Sequence, residues 1–268
     1  MRLASIHTYP VKGCHRVDQE RATVEPWGLA GDRRWMPVDA AGKMVSQREV
    51  PRLTQVQPST VDGYLILAAP GMPELKVPAV AGDLVEVAIW RNRVPASPAG
   101  AEADAWLSAV AGGPLRLVYL DDPTRRPVDP AYGRPGDRVS FADGYPLLVT
   151  NTASLDALND WIVEAGNEPV PMTRFRPNIV VTGAAAWAED GWLGRRIRVG
   201  AVTFRAPKPC DRCVMTTNDQ ETGERGREPL RTLGRYRNIN QQLLFGVNLV
   251  PDAPGEIATG DEIEILSA

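Results

Sequence analysis

The chain has 268 residues, 43% of them hydrophobic and 24% charged, with a formal net charge of -3. That length can bury a full core, as one large domain or two small ones, and the composition excludes a disordered or fibrous protein. The acidic balance gives no whole-molecule attraction to nucleic acid or anionic lipid, and no run approaches the roughly 20 apolar residues of a membrane span, so a cytoplasmic protein is expected.

The first hundred residues read as short strands separated by turns. Leu3 to Val11 alternates and stops at Lys12-Gly13. Arg34 to Asp39, the turn Ala41-Gly42 and Met44 to Gln47 read as a hairpin, followed by strands at Leu65 to Ala68 and Leu84 to Val94. Glu102 to Val110 has helical spacing, with Ala103, Trp106, Leu107 and Val110 on one face and Gly112-Gly113 as its stop. Asp121 to Asp137 is rich in Pro, Arg and Asp and reads as an irregular surface connection. A second helix is expected from about Ser154 to Ala165, capped by Thr152 or Ser154. Leu147 to Thr150, Asn178 to Val181, Ile197 to Phe204 and Glu262 to Leu266 read as strands. With 24 Pro and 24 Gly as punctuation, the expected fold is mainly β with a few helices, in two closely joined barrel-like lobes. The exchange between lobes falls within residues 95 to 135, placing the domains at 1–115 and 116–268.

Chemistry points to Cys213, which closes the run Lys208-Pro209-Cys210-Asp211-Arg212-Cys213. Sulfur acts as a nucleophile or metal ligand as thiolate, which neighbouring cations favour. On the residues alone the pair Cys210/Cys213 has several readings. Structural zinc needs four ligands, and the remaining two would have to come from Cys14, His7 or His15, far away in sequence. A thioredoxin-like pair sits where a strand feeds a helix, whereas this neighbourhood is all strand and turn. Two inert packed thiols are the third reading. Cys14 itself reads as core. Asp32-Arg33-Arg34-Trp35 and Arg174-Phe175-Arg176-Pro177-Asn178 are candidate anion-binding pieces, although strand alternation would present only one arginine of each pair to a common site.

Five separated stretches, Tyr9 to Cys14, Asp32 to Trp35, Phe141 to Gly144, Phe175 to Asn178 and Cys210 to Cys213 with Thr216-Thr217, occur in an order and spacing that resembles one family. These are the MOSC proteins with an N-terminal MOSC β-barrel domain, among them the mitochondrial amidoxime-reducing component and its bacterial counterparts. The resemblance covers nearly the whole chain. It implies a molybdenum cofactor, Mo-molybdopterin, with Cys213 as the protein's metal ligand. It further implies cofactor contacts from Lys12, Gly13 and Arg33 in the first lobe, and from Asp143, Gly144, Arg176, Asn178, Asp211, Arg212 and Asn248 in the second. Thr216, Thr217 and Asp219 would orient the thiolate or move protons, with Asp219 as the catalytic proton-relay candidate. Two departures stand out: Gly13 where relatives commonly have serine, and Asn248 where the mitochondrial enzymes have tyrosine.

The implied activity is a reductase that removes oxygen from small N-hydroxylated substrates such as hydroxylamines, amidoximes or N-hydroxylated bases. No cysteine follows Cys213, so an iron–sulfur cluster has no ligand set here, and electrons are expected from a separate donor protein carrying flavin, haem or iron–sulfur. The alternative is a sulfur carrier or cofactor-delivery protein that uses a Cys213 persulfide or thiolate.

Overall fold

The structure is a computed structural model that describes residues 1–79 and 82–266. Strands dominate, with three α-helices among the described residues: α1 (Ala101–Ala111), α2 (Thr152–Glu164) and α3 (Leu230–Tyr236). The mainly β expectation therefore holds. The largest layer is a nine-stranded sheet. Its strands follow the order Ile263–Leu266, Arg196–Val199, Val202–Asp211, Gln242–Pro251, Leu147–Asn151, Ile179–Thr182, Arg2–Thr8, Val17–Gln19, with Asn238–Ile239 paired beside Gln242–Pro251. Only Leu147–Asn151 and Ile179–Thr182 run parallel, and α2 makes the crossover that a parallel pair requires.

Strand Arg2–Thr8 is drawn into this sheet beside Ile179–Thr182, because Leu3 and Ile6 bury completely against Val149, Val181 and Val247. Gly255–Ala258 in turn pairs with Arg21–Glu25. The rest of the N-terminal half forms a four-stranded sheet (Trp35–Val38, Arg116–Tyr119, Asn92–Pro98, Val85–Ile89) and a three-stranded one (Gln57–Val61, Tyr64–Ala68, Leu75–Pro78). Helix α1 buries Ala103, Trp106 and Leu107 against this half. Glu102 and Asp104 suit the positive end of its dipole, and Gly112 in left-handed backbone returns its N–H to the Ser108 carbonyl. No helix among the described residues is long and apolar enough to cross a membrane.

Several local expectations need correction. Leu84 to Val94 is two strands, broken where Trp90 adopts φ 52°. Ile197 to Phe204 is likewise a hairpin, turning at Gly200 with φ 54°. Met44 to Gln47 forms no strand: only Met44 bridges back to Val38, because the Asp39 carboxylate accepts from Ala41 N and Lys43 N and tightens the turn. The cap of α2 is Asn151, whose side chain accepts from Ala153 N, rather than Thr152 or Ser154.

Candidate functional site

A cleft enclosing about 790 Å³, open to solvent, lies where the two halves meet. One wall comes from the N-terminal half. After strand Arg2–Thr8 the chain turns through Gly13 (φ 80°), which leaves Lys12 on the cleft side and Cys14 in the apolar core. Lys12 is 6% exposed, and its Nζ donates to Phe141 O at 2.9 Å and to Asp143 Oδ1 at 2.6 Å. Burial pulls the Lys12 ammonium down to about 8, opposed by the Asp143 charge. Burial would raise Asp143, but its carboxylate is 68% exposed at the cleft, so the Lys12 contact decides and holds it below the usual carboxylate range.

Tyr9 organises two arginines. The guanidinium of Arg33 lies 4.3 Å from its ring centroid and that of Arg176 4.1 Å, a cation–π arrangement stabilised by burial. Both arginines occupy left-handed backbone, at φ 47° and 54°, a conformation that costs a non-glycine residue about 1 kcal/mol or more. Arg33 Nη1 donates to Asp32 Oδ2 (2.6 Å) and Asn178 Oδ1 (3.0 Å). Arg176 Nη1 donates to Cys14 O at 2.8 Å, while its Nη2 is buried without a partner. Burial lowers Arg176 to about 10.

The other wall is carried by strand Val202–Asp211 and its neighbour Gln242–Pro251. Their register shifts between Pro209 and Asp211, where Gly246 (φ 78°) makes a bulge opposite Cys210. Past the strand, Arg212 donates to Cys210 Sγ at 2.8 Å and to the Phe175 carbonyl, and its Nε is buried without a partner. Cys213 is half-buried and faces the cleft at the start of the turn Val214–Thr217. Its carbonyl accepts from Thr216 N and Thr216 Oγ1, both at 3.0 Å, and its Sγ accepts from Arg48 Nη2 at 3.0 Å. Asn248 donates to Pro209 O at 3.1 Å beside the same strand.

Of the residues singled out by sequence, Lys12, Arg33, Asp143, Gly144, Arg176, Asn178, Asp211, Arg212, Cys213 and Asn248 line this one cleft. Gly13 and Asp219 do not line it. Gly13 shapes the turn, and its carbonyl accepts from Gln47 Nε2. Asp219 binds Arg174 through one oxygen and caps its own loop through Glu221 N and Thr222 N with the other; these contacts hold it below the usual range, which suits a structural carboxylate better than a proton relay. Asn178 lines the cleft, but its amide is committed to His7 O, Leu148 N and Arg33, so it positions Arg33. Strand alternation governs neither pair, because both segments are turns: Arg33 lines the cleft from left-handed backbone while Arg34 donates to Leu120 O, and Arg174 and Arg176, two residues apart, both line the cleft.

Arg48 and buried Arg126 were not anticipated. Arg126 donates to Ser140 O, Ala142 O and Asp143 O and so builds the Asp143–Gly144 loop. Its doublet Arg125-Arg126 was a visible signal; Arg48 carried none.

The donor set defines what the cleft can hold. Among the described residues no three His, Cys, Asp or Glu side chains converge on a metal position, and Cys14 is sealed in core with burial pushing it up to about 12. The zinc reading therefore lacks ligands. Two half-buried thiols, Cys210 and Cys213, beside several cations, three of which (Arg174, Arg176 and Arg212) carry unpartnered buried N–H groups, fit a group that brings its own further metal ligands and an anionic tail.

This is the arrangement of a cofactor-holding β protein, and the comparisons agree. The chain belongs to the MOSC family: residues 1–114 match the MOSC N-terminal beta barrel domain and residues 136–264 the MOSC domain. MOSC domains bind the molybdenum cofactor. The human protein named mitochondrial amidoxime-reducing component 1 is 30% identical over 98% of this chain and 82% of its own length. The tomato (Solanum lycopersicum) molybdenum cofactor sulfurase is 28% identical over 97% of this chain, which spans only 35% of that longer protein. Among solved structures, the YUAD protein of Bacillus subtilis aligns over 98% of this chain and 94% of its own, with a TM-score of 0.46 and 11% identity.

Proposed function

We propose that the protein is a molybdenum-cofactor-dependent reductase of N-hydroxylated compounds, converting R–NH–OH, two electrons and two protons to R–NH2 and water. The observation that carries this reading is the placement of Cys213 Sγ in the same cleft as Lys12, Arg33, Arg176 and Arg212. When bound, the cofactor supplies the two-electron chemistry. Cys213 would hold the metal, a soft ligand for a sulfur-rich centre. Lys12, Arg33 and Arg176 would hold the anionic tail, and the unpartnered Nη2 of Arg176 would gain an acceptor. Arg212 fixes Cys210 and the Phe175 carbonyl, keeping the wall beside the metal position rigid. The exposed Asp143 carboxylate marks where water, the source of both protons, enters. Electrons come from a separate protein, and the three free thiols suit a reducing compartment such as the cytoplasm.

The test is molybdenum content together with reduction of benzamidoxime by the purified protein, using reduced methyl viologen as donor. Wild type is expected to bind the metal and turn over, while Cys213→Ser loses both. A Cys213→Ser variant that kept full metal and activity would refute the ligand assignment.

The likeness to proteins named molybdenum cofactor sulfurase supports a second reading, a carrier in which Cys213 bears a persulfide. Intact mass separates the two: a persulfide on Cys213 without a pterin favours the carrier, and a bound pterin with turnover favours the reductase.

A further inference from the structure

A second groove, of about 760 Å³ open to solvent, is built largely from cations. Arg195 and Arg196 contribute from the start of strand Arg196–Val199, Arg205 from strand Val202–Asp211, and Arg134 from the connection before the cleft loop, with Tyr132 lining the same groove. Lys208 Nζ lies 5.0 Å from the centroid of that ring. The carboxylates within reach are few and already occupied. Asp137 and Asp252 are both bound by Arg205, at 2.7 Å each. Asp129 accepts from Ala131 N in its own turn.

Three of the cations remain available. Arg134 is 69% exposed and only 3.9 Å from Asp252; Arg196, though paired with Asp252, is 56% exposed. Arg195 has no hydrogen-bond or ion-pair partner for its side chain among the described residues. The whole chain carries -3, so this face runs against the sign of the molecule. A local patch opposite in sign to its surroundings orients and captures a partner of complementary charge, and an exposed tyrosine among arginines is the composition of an interface centre.

The groove also shares a wall with the cleft. Tyr132 meets Tyr145 edge-on, with centroids 6.5 Å apart, and Tyr145 lines the cleft. Strand Val202–Asp211 carries Arg205 in the groove and Cys210 in the cleft, roughly 17 Å apart along an extended chain. A protein seated in the groove would lie against the strand that leads to Cys210 and on to Cys213.

We infer that this groove docks the electron donor, and that the donor is a small protein presenting an acidic face. The inference rests on the reductase reading above and adds the partner's chemistry and place of entry. It is tested with the loaded full chain and the double variant Arg134→Glu/Arg195→Glu, which removes only the long 3.9 Å pair of Arg134 with Asp252 and leaves Arg205 and Arg196 on that carboxylate. Three acidic carriers serve as probes: a [2Fe–2S] ferredoxin, a flavodoxin and a small b-type cytochrome, with methyl viologen as a donor that needs no docking. Wild type should turn over with at least one carrier, at a rate that falls with added salt. The variant should lose about tenfold with that carrier, the scale of electrostatic steering, and stay within about twofold with viologen.

Equal carrier-driven rates in wild type and variant, or an equal loss with viologen, overturn the proposal. If viologen drives no turnover even in wild type, the reductase reading itself fails. Docking is then judged by salt-dependent binding of the same carriers to cofactor-free protein: loss of binding in the variant sustains it, and binding by none of the three, or equal binding by both proteins, overturns it.

Discussion

Lys12 shows how a single buried charge ties the cleft to pH. Its ammonium is held by Phe141 O and Asp143, yet burial brings it to about 8, below the roughly 10.4 of an exposed lysine. Between those values the unfolded chain binds the proton and the folded one does not, so the stability of the ligand-free protein rises with pH across that window. Anion binding moves the opposite way, because it needs the charged form. Affinity for inorganic pyrophosphate, followed by calorimetry from pH 6.5 to 9.5, is expected to fall as pH rises through about 8. In Lys12→Met it should be low at pH 7 already, and the fall through about 8 should be gone. An unchanged slope in that variant would remove Lys12 from the anion site. Cys210 gives the complementary contrast with Cys213. Burial raises its thiol and its sulfur accepts from Arg212, the next-but-one residue on the same wall, so Cys210→Ser should keep its molybdenum where Cys213→Ser loses it, as read by metal analysis of both purified variants.

At the scale of elements, the cleft depends on an irregularity in two paired strands. Gly246 sits at the bulge opposite Cys210, and a Cβ there would lie 2.6 Å from Val149 O and 2.9 Å from Thr150 Cγ2, in left-handed backbone as well. Gly246→Ala is therefore expected to destabilise by about 3 kcal/mol, read as a lower urea midpoint with little change in slope. Such features explain what sequence could and could not tell. Alternation disclosed Arg2–Thr8, a short apolar run disclosed Leu147–Asn151, and helical spacing disclosed α1 and α2, since these segments carry their pattern locally. Helix α3 escaped because its seven residues bury only Thr232 and Leu233, too few to write a period. The cleft residues were legible as motifs, most of them short runs with their own cations. Arg48 was not, because it reaches Cys213 only through the packing of the halves; it stacks on Trp90 at 4.6 Å, and Arg225 from the other half donates to its carbonyl.

The whole molecule folds as an interleaved unit, although its two halves match separate domains. Residues 1–114 contain strand Arg2–Thr8, whose partner Ile179–Thr182 lies in the other half; residues 136–264 contain Gly255–Ala258, whose partner Arg21–Glu25 lies in the first. A polar seam reinforces the exchange: Arg225 donates to Asn218 Oδ1 and Gln47 O, and Gln47 donates to Gly13 O. Separating the halves strips Leu3 and Ile6 of their core, at roughly 1.5–3 kcal/mol for each side chain, and leaves Ile179–Thr182 as an open apolar edge. We therefore expect residues 1–114 and 115–268, expressed apart, to lack cooperative unfolding and the second to aggregate, while co-expression restores a soluble complex. The cleft makes the readout specific, because Lys12 and Arg33 come from one piece and Arg176 and Cys213 from the other. Molybdenum should appear only in the co-expressed complex. A second piece that folded alone, with a sharp thermal transition and bound metal, would mean that the first half adds contacts to a finished site instead of completing an unfinished one.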